Sequence, residues 1–264
     1  MSRVFITGSS DGLGLLAGRL LASEGHRVTL HARNDARAAD AGRSLQQAEA
    51  VVVGDLSSID QMRSVAAQVN ALGRYDAVIH NVGVGYRQPH IKTVDGLSQV
   101  FAVNVLAPYL LTALIVPPRR LVYLSSGMHR GGDARLNDPQ WTARRWNGSQ
   151  AYSDSKLLDV VLAFAVARRW PGVLSNALEP GWVPTKMGGP GAPDDLSLGA
   201  VTQAWLAVSD DAAATVTGQY FRHQKPQRVH PAARRAESQD ELLVYCAGLT
   251  DTLLPGERPK GDDA

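Results

Sequence analysis

The chain holds a single cysteine, Cys246, in 264 residues, so no internal disulfide can form and a reducing compartment suits it. Charge of one sign is also scarce. Lys and Arg number 27 against 25 Asp and Glu, for a net charge of +2, and basic pairs such as Arg119-Arg120 and Arg234-Arg235 are scattered. A nucleic acid demands a concentrated basic face, so none is expected as a partner. Long apolar runs are missing: the stretches at 105–116 and 160–167 contain a proline or are too short to cross a bilayer, and no membrane span is expected. A strand starts almost at Met1 with no basic or apolar leader before it, which makes a cytoplasmic location the simplest expectation. Internal repeats and low-complexity blocks are absent. The seven histidines show no ligand spacing with each other or with Cys246, so no metal is expected.

What is present is ordinary for a globular protein with a core: 44% hydrophobic and 20% charged residues. Short apolar runs at 3–8, 27–33, 48–56, 75–81, 119–126 and 173–181 read as strands, nearly continuous in hydrophobicity and ending in small or polar residues. Helical patterns at 12–24, 36–47, 58–72, 97–116 and 152–169 alternate with them. This alternation predicts an α/β fold with a doubly wound parallel sheet and helices on both faces. Residues 1–222 are expected to form one dinucleotide-binding domain. Residues 223–264 read as a weakly structured tail with a short helix at 237–247, not a separate domain. Two polar or Gly/Pro-rich segments, 127–148 and 184–197, follow strand ends and belong above the carboxyl edge of the sheet, where ligands bind. The second of them reads as a mobile loop.

The first strand runs into "TGSSDGLG", with glycines at 8, 12 and 14 between strand and helix. Glycine there allows a tight turn and close backbone approach to a pyrophosphate, and the helix N-terminus offers free N–H groups. Gly8, Ser9, Ser10, Gly12 and Leu13 are the candidate cofactor contacts in this loop. The second strand ends in "HARND". An acidic residue at that end would favour a ribose 2′-hydroxyl, whereas Arg33 suits a 2′-phosphate, so NADP(H) is expected over NAD(H). The alternative is an exposed arginine at a strand end. Asp55 closes the third strand and reads either as an adenine contact, with Leu56 under the ring, or as an N-cap for the helix that follows. Asn81 and Gly83 close the fourth strand, where the chain must pass a ribose.

In "SQAYSDSKLLDVV", Tyr152 and Lys156 are four positions apart and stack on one helix face. A phenol is too weak an acid–base group near neutral pH, and a neighbouring ammonium favours its ionised form. Tyr152 is therefore the candidate proton donor to a carbonyl oxygen, with Lys156 tuning it and holding ribose hydroxyls. Ser126, at the end of the fifth strand, would hold the substrate oxygen. Asn104, inside a helix, reads as a relay residue toward Lys156 or as a plain solvent-facing asparagine. Trp141, Trp146, Trp182 and Met187 are expected in the pocket wall, with core or loop-anchor roles equally open for the first two, and His129 is expected to line the pocket.

"TGSSDGLG", "HNVG", "FAVN", "LVYLSS", "YSDSK" and "PGWVPT", in this order and spacing from residue 3 to about 221, resemble the short-chain dehydrogenase/reductase family. The resemblance implies a single-domain Rossmann fold, an Asn104–Ser126–Tyr152–Lys156 tetrad, and Pro180, Gly181, Val183 and Thr185 bordering the nicotinamide. It implies an oxidoreductase, a carbonyl reductase or alcohol dehydrogenase, acting on a small-molecule carbonyl or alcohol. The text "LNDPQW…RRW…AYSDSKL" looks like the retinol-dehydrogenase-like branch, and "PGWVPTKMGGPGAPDDL" is similar to bacterial members named as daunorubicin C-13 ketoreductases. Val82 departs from the family's usual alanine and is expected to crowd the cofactor edge. A catalytically silent NADP(H)-binding sensor would be expected to lack the tyrosine or lysine. A nucleotide-sugar epimerase would be expected to carry a longer carboxyl-terminal domain. The helix at 152–169 is apolar on several faces, so a homo-oligomer is expected to cover the surplus.

Overall fold

The computed structural model describes residues 1–256. In chain order the elements are β1 (Arg3–Ile6), α1 (Gly12–Ser23), β2 (Arg27–Ala32), α2 (Asp35–Ser44), β3 (Ala50–Val53), α3 (Ile59–Ala71) and β4 (Ala77–His80). A short α4 (Gln99–Phe101) then runs through a π-helical turn (Ala102–Leu106) into α5 (Ala107–Leu114). After these come β5 (Arg120–Leu124), α6 (Gly148–Arg169), β6 (Leu174–Leu178), α7 (Leu198–Val208), β7 (Tyr220–Arg222), β8 (Lys225–Pro226) and α8 (Ala236–Thr250).

The strands form one sheet in the order β3-β2-β1-β4-β5-β6-β7-β8, parallel except for the terminal β7–β8 hairpin. The order reverses between β1 and β4, the switch point at which a doubly wound sheet opens a crevice. Alternation explains why each strand is apolar throughout. Phe5, Leu121 and Tyr123 point to one face, against Leu106, Leu110, Leu157 and Val161. Val4, Ile6, Val122 and Leu124 point to the other, against Leu15, Leu21 and Ala204.

Local signals place the helix starts. Asn34 accepts from the Arg37 backbone N–H at the head of α2, and Asn147 accepts from that of Gln150 at the head of α6, each at 3.0 Å. The six predicted strands all exist, but each is shorter than its apolar run, because the last residues leave the sheet to border the crevice. α7 and β7 are not among the predicted elements.

The tail differs most from expectation. Its helix runs over Ala236–Thr250, is preceded by a 3-10 turn at Pro231–Arg234, and buries Leu242, Leu243 and Cys246. It is fastened to α6 by Arg168, whose Nε donates to Gln239 Oε1 at 2.7 Å, and by Asp240 paired with Arg168 and Arg169. The tail is thus built structure through residue 256; 257–264 lie outside the described residues. On α6, every residue from 151 to 166 is buried within the single chain. The expectation of a homo-oligomer rests on an apolar surplus there, and the chain's own α8 and 3-10 turn cover it. Among the described residues no helix is long and apolar enough to cross a membrane.

Candidate active site

Along the carboxyl edge of the sheet runs a cleft of about 930 Å³, at the upper end of the range of small-ligand sites. The glycine loop forms its floor at one end. Gly8 and Gly12 adopt φ of +60° and +56°, where a side chain would be strained. Nothing lies within 4 Å of a Cβ added at Gly12, so that position opens on the cleft. A Cβ on Gly14 would come 2.5 Å from Asn81 Nδ2 and 2.7 Å from Gly8 O, so only glycine lets α1 seat this close to β4. Asn81 donates from Nδ2 to the carbonyls of Thr7 and Gly8 at 3.0 Å, while its Oδ1 is buried without a partner among the described residues. An unmet acceptor beside a glycine cradle and a helix N-terminus fits a dinucleotide, and the residues present can hold one.

Of the candidate cofactor contacts, Gly8, Ser10, Gly12 and Leu13 line the cleft, and so do Leu56 and Asp55. Ser9 does not. It is fully buried, its hydroxyl donating to Ile6 O at 2.7 Å and accepting from His31 N–H at 2.8 Å, so it braces the loop from behind. His31 completes the brace, accepting from Gly8 N–H at Nδ1 (3.0 Å) and reaching Gly54 O through Nε2 (2.8 Å). Asp55 does not cap α3. Its Oδ1 accepts from Ser57 N–H at 2.9 Å in a local turn, and Asp95 accepts from the first N–H of α3.

Arg33 lines the cleft, exposed and without a carboxylate partner among the described residues. A second cation, Arg37 on α2, joins it and donates to Ser10 Oγ at 3.3 Å and to Asp11. Lys186, from the 184–197 loop, donates to the same Asp11 carboxylate at 2.7 Å. Burial works to raise the Asp11 carboxyl, but Lys186 and Arg37 outweigh it and hold it below the ordinary range. Arg37 and Lys186 went unpredicted; Arg37's signal is its position one helical turn beyond Arg33, just after the Asn34 cap.

At the other end, Ser126, Tyr152 and Lys156 border the cleft together, with Gly83 between them and the glycine loop. Tyr152 is 6% exposed, and its hydroxyl faces Met187 Sδ at 3.9 Å. Tyr86 packs edge-on against its ring with centroids 5.9 Å apart. Ser126 Oγ accepts from Met128 N–H at 3.2 Å, starting the 3-10 turn Gly127–Gly131. Lys156 Nζ donates to Leu124 O at 2.6 Å and to Asp159 Oδ2 at 3.2 Å.

Asn104 is not on the cleft wall. It sits in the π-helical turn with its side chain fully used, Oδ1 accepting from Val84 N–H (2.8 Å) and Nδ2 donating to Val84 O (3.1 Å) and Ser155 Oγ (2.9 Å). It pins the β4 exit strand against α6. The solvent-facing alternative is excluded, since Asn104 is fully buried.

Pro180, Gly181, Val183 and Thr185 line the cleft. Gly181, at φ +87°, lets Asp194 close over it and accept from Trp182 N–H at 2.6 Å. Trp182 and Met187 form apolar wall. Trp141 and Trp146 do not; they pack on each other and on Val100 and Ala151, with the Arg144 guanidinium 3.6 Å over the Trp141 ring. They anchor the 127–148 segment. His129 is likewise core, its ring tilted against that of Tyr220 and its Nδ1 2.8 Å from Ser126 O. Val82 presses on Gly8, where an added Cβ would lie 2.8 Å from Val82 Cα. Among the described residues no three His, Cys, Asp or Glu side chains group to hold a metal.

A glycine cradle at a sheet switch point, joined in one cleft to a tyrosine–lysine pair and a strand-end serine, defines the class of dinucleotide-dependent oxidoreductases. The family model described as short chain dehydrogenase matches residues 2–195, and the chain belongs to that family, in its retinol-dehydrogenase-like branch. Its relatives include an uncharacterized oxidoreductase of Emericella nidulans, 44% identical over 97% of this chain and 100% of that one. Short-chain dehydrogenase chyC of Penicillium rubens is 38% identical over 97% and 100%, and human retinol dehydrogenase 13 is 31% identical over 97% and 86%. Among solved structures, an uncharacterized protein of Mycobacterium paratuberculosis superposes with a TM-score of 0.83 at 27% identity, over 97% of this chain and 95% of that one.

Proposed function

We propose that the protein is an NADP(H)-dependent oxidoreductase that moves hydride between nicotinamide and a carbonyl or alcohol carbon of a small hydrophobic substrate. One observation carries the reading: Tyr152, Lys156 and Ser126 open into the same cleft as the glycine loop, at the end opposite Arg33 and Arg37. The bound nicotinamide supplies or accepts the hydride. Tyr152 supplies the proton to the substrate oxygen in reduction and removes it in oxidation. Ser126 donates to that oxygen and holds it against the phenol. Two N–H groups of Lys156 are held by Leu124 O and Asp159, which leaves the third for ribose hydroxyls. Arg33 and Arg37 would hold a 2′-phosphate, the basis for preferring NADP(H). Val84, Tyr86, Met128, Trp182 and Met187 give the substrate end its apolar wall and exclude water from the proton transfer.

A cytoplasmic setting accords with the one buried thiol, Cys246. The deciding experiment incubates the purified protein with NADPH or NADH and a panel of hydrophobic aldehydes and ketones while following nicotinamide absorbance. Turnover, faster with NADPH, is the expected result. Tight NADPH binding without turnover of any compound would replace this reading with that of a silent cofactor-binding sensor.

A further inference from the structure

The Tyr152–Lys156 face of α6 continues one turn further, to Asp159. Its side chain is 2% exposed and that of Lys156 4%, and the two form an ion pair at 3.2 Å in the protein interior. Asp159 Oδ1 is buried with no hydrogen-bond partner among the described residues. The carboxylate therefore directs its hydrogen bonding to Lys156. Burying an ionised carboxylate with a single partner is costly, and an apolar side chain would serve the packing better. Burial indeed pushes the Asp159 carboxyl up, against the pull of Lys156.

Geometry gives this costly placement a use. With Leu124 O and Asp159 Oδ2 each taking one N–H, the ammonium is fixed in rotation. Gly83 faces the same ammonium: a Cβ there would lie 3.6 Å from Nζ, in van der Waals contact with it. We propose that Asp159 is a positioning residue of this site, clamping and counterbalancing the Lys156 ammonium and so setting the pH at which Tyr152 exchanges its proton. The proposal rests on the reading of Tyr152 as the acid–base group.

The other ionisable groups around the pair are accounted for. On β5, Tyr123 is buried, and its phenol is pushed up by burial and by the Asp159 charge. On β4, His80 is held neutral by burial. At the cleft, Glu179 at the end of β6 is paired with Arg130, and burial keeps Tyr220 on β7 protonated. None of these places a second counter-charge on Lys156. Removing the Asp159 charge leaves an unbalanced cation one helical turn from Tyr152 and on the same cleft, and loss of a proton from the Tyr152–Lys156 pair becomes easier, whichever member gives it up.

The test is the pH profile of alcohol oxidation with NADP⁺ for the wild type, Asp159→Asn and Asp159→Ser, with thermal melting and NADPH affinity measured alongside. The rising limb should move to lower pH by on the order of one unit in both variants. NADPH affinity should stay within about tenfold, because Leu124 O still holds Nζ. A limb in its wild-type place in a folded variant would overturn the proposal, and the second substitution serves if the first does not fold. Turnover surviving in Tyr152→Phe would instead overturn the reading beneath it, by a different observation.

Discussion

Acid should unfold this protein earlier than its carboxylates alone would dictate, because burial holds the imidazoles of His31, His80 and His129 below their ordinary range, the first two most strongly. His31 is nearly inaccessible, and burial lowers its pKa to about 4, with the Gly54 carbonyl pulling weakly the other way. His80 is lowered to about 3 by burial. An unfolded histidine titrates near 6.5. A histidine held below that value binds fewer protons when folded, so stability is complete above pH 6.5 and drains as pH falls toward the folded value. Between pH 7 and 5 the His31 and His80 imidazoles each cost about 2 kcal/mol. Asp159 acts the other way: its carboxyl is raised to about 6 by burial, so it returns about 1 kcal/mol over the same interval. The net loss is about 2–3 kcal/mol, a large share of the stability of an ordinary domain. Urea unfolding followed by tryptophan fluorescence at pH 7, 6 and 5 measures it. His31→Gln, which can still reach Gly8 N–H and Gly54 O, should flatten the dependence by about 2 kcal/mol. Equal stability at pH 7 and 5, or an unchanged slope in His31→Gln, would refute the reasoning.

Three further outcomes are expected. Tyr152→Phe keeps the ring against Tyr86 and removes only the hydroxyl, so NADPH affinity should hold while turnover falls by about 10²- to 10⁴-fold in steady-state kinetics. Arg33→Ala and Arg37→Ala should each weaken NADPH about ten- to a hundredfold by titration and leave NADH nearly unchanged, since a charged hydrogen bond is worth about 1.5–3 kcal/mol. Gly14→Ala drives a methyl to within 2.7 Å of Gly8 O, so a loss of about 1–3 kcal/mol should appear in the melting temperature, with weaker cofactor binding.

The layered architecture was legible because both faces of the sheet are covered. That makes every strand an unbroken apolar run, and the runs stand out between helices. The same property blurred the strand ends. Thr7 continues the apolar-to-small run of β1 and its N–H still donates to Ile79 O at 3.0 Å, yet β1 ends at Ile6, and the Thr7 Oγ1 accepts from Asn81 N–H at 3.0 Å. Elements held together by distant partners were harder to see. β7 has only three residues, and β8 is tied to it by a turn in which His223 and Gln224 both take positive φ, a conformation those residue types do not announce. The fastening of α8 to α6 depends on Arg168 meeting Gln239 and Asp240 across seventy residues of chain, which no periodicity encodes.

The site divides along the same line. Residues whose place at the cleft follows from local spacing were readable: Gly8 and Gly12 between β1 and α1, and Tyr152 and Lys156 one turn apart. Those whose partner is remote were not. Ser9 lies within a glycine motif and was expected at the cofactor, but His31 from the next strand captures its hydroxyl. Asn104 sits on a π-helical turn whose extra residue swings the side chain onto Val84 and Ser155, away from the cleft. Asp11 sits in the middle of the glycine loop, at the cap of α1, where a carboxylate would be unfavourable to a bound phosphate. Only the arrival of Arg37 from α2 and Lys186 from a loop 175 positions away makes it tolerable. Together the three groups carry a net positive charge, so the glycine-loop end of the cleft remains attractive to an anion even with an acid at the helix cap.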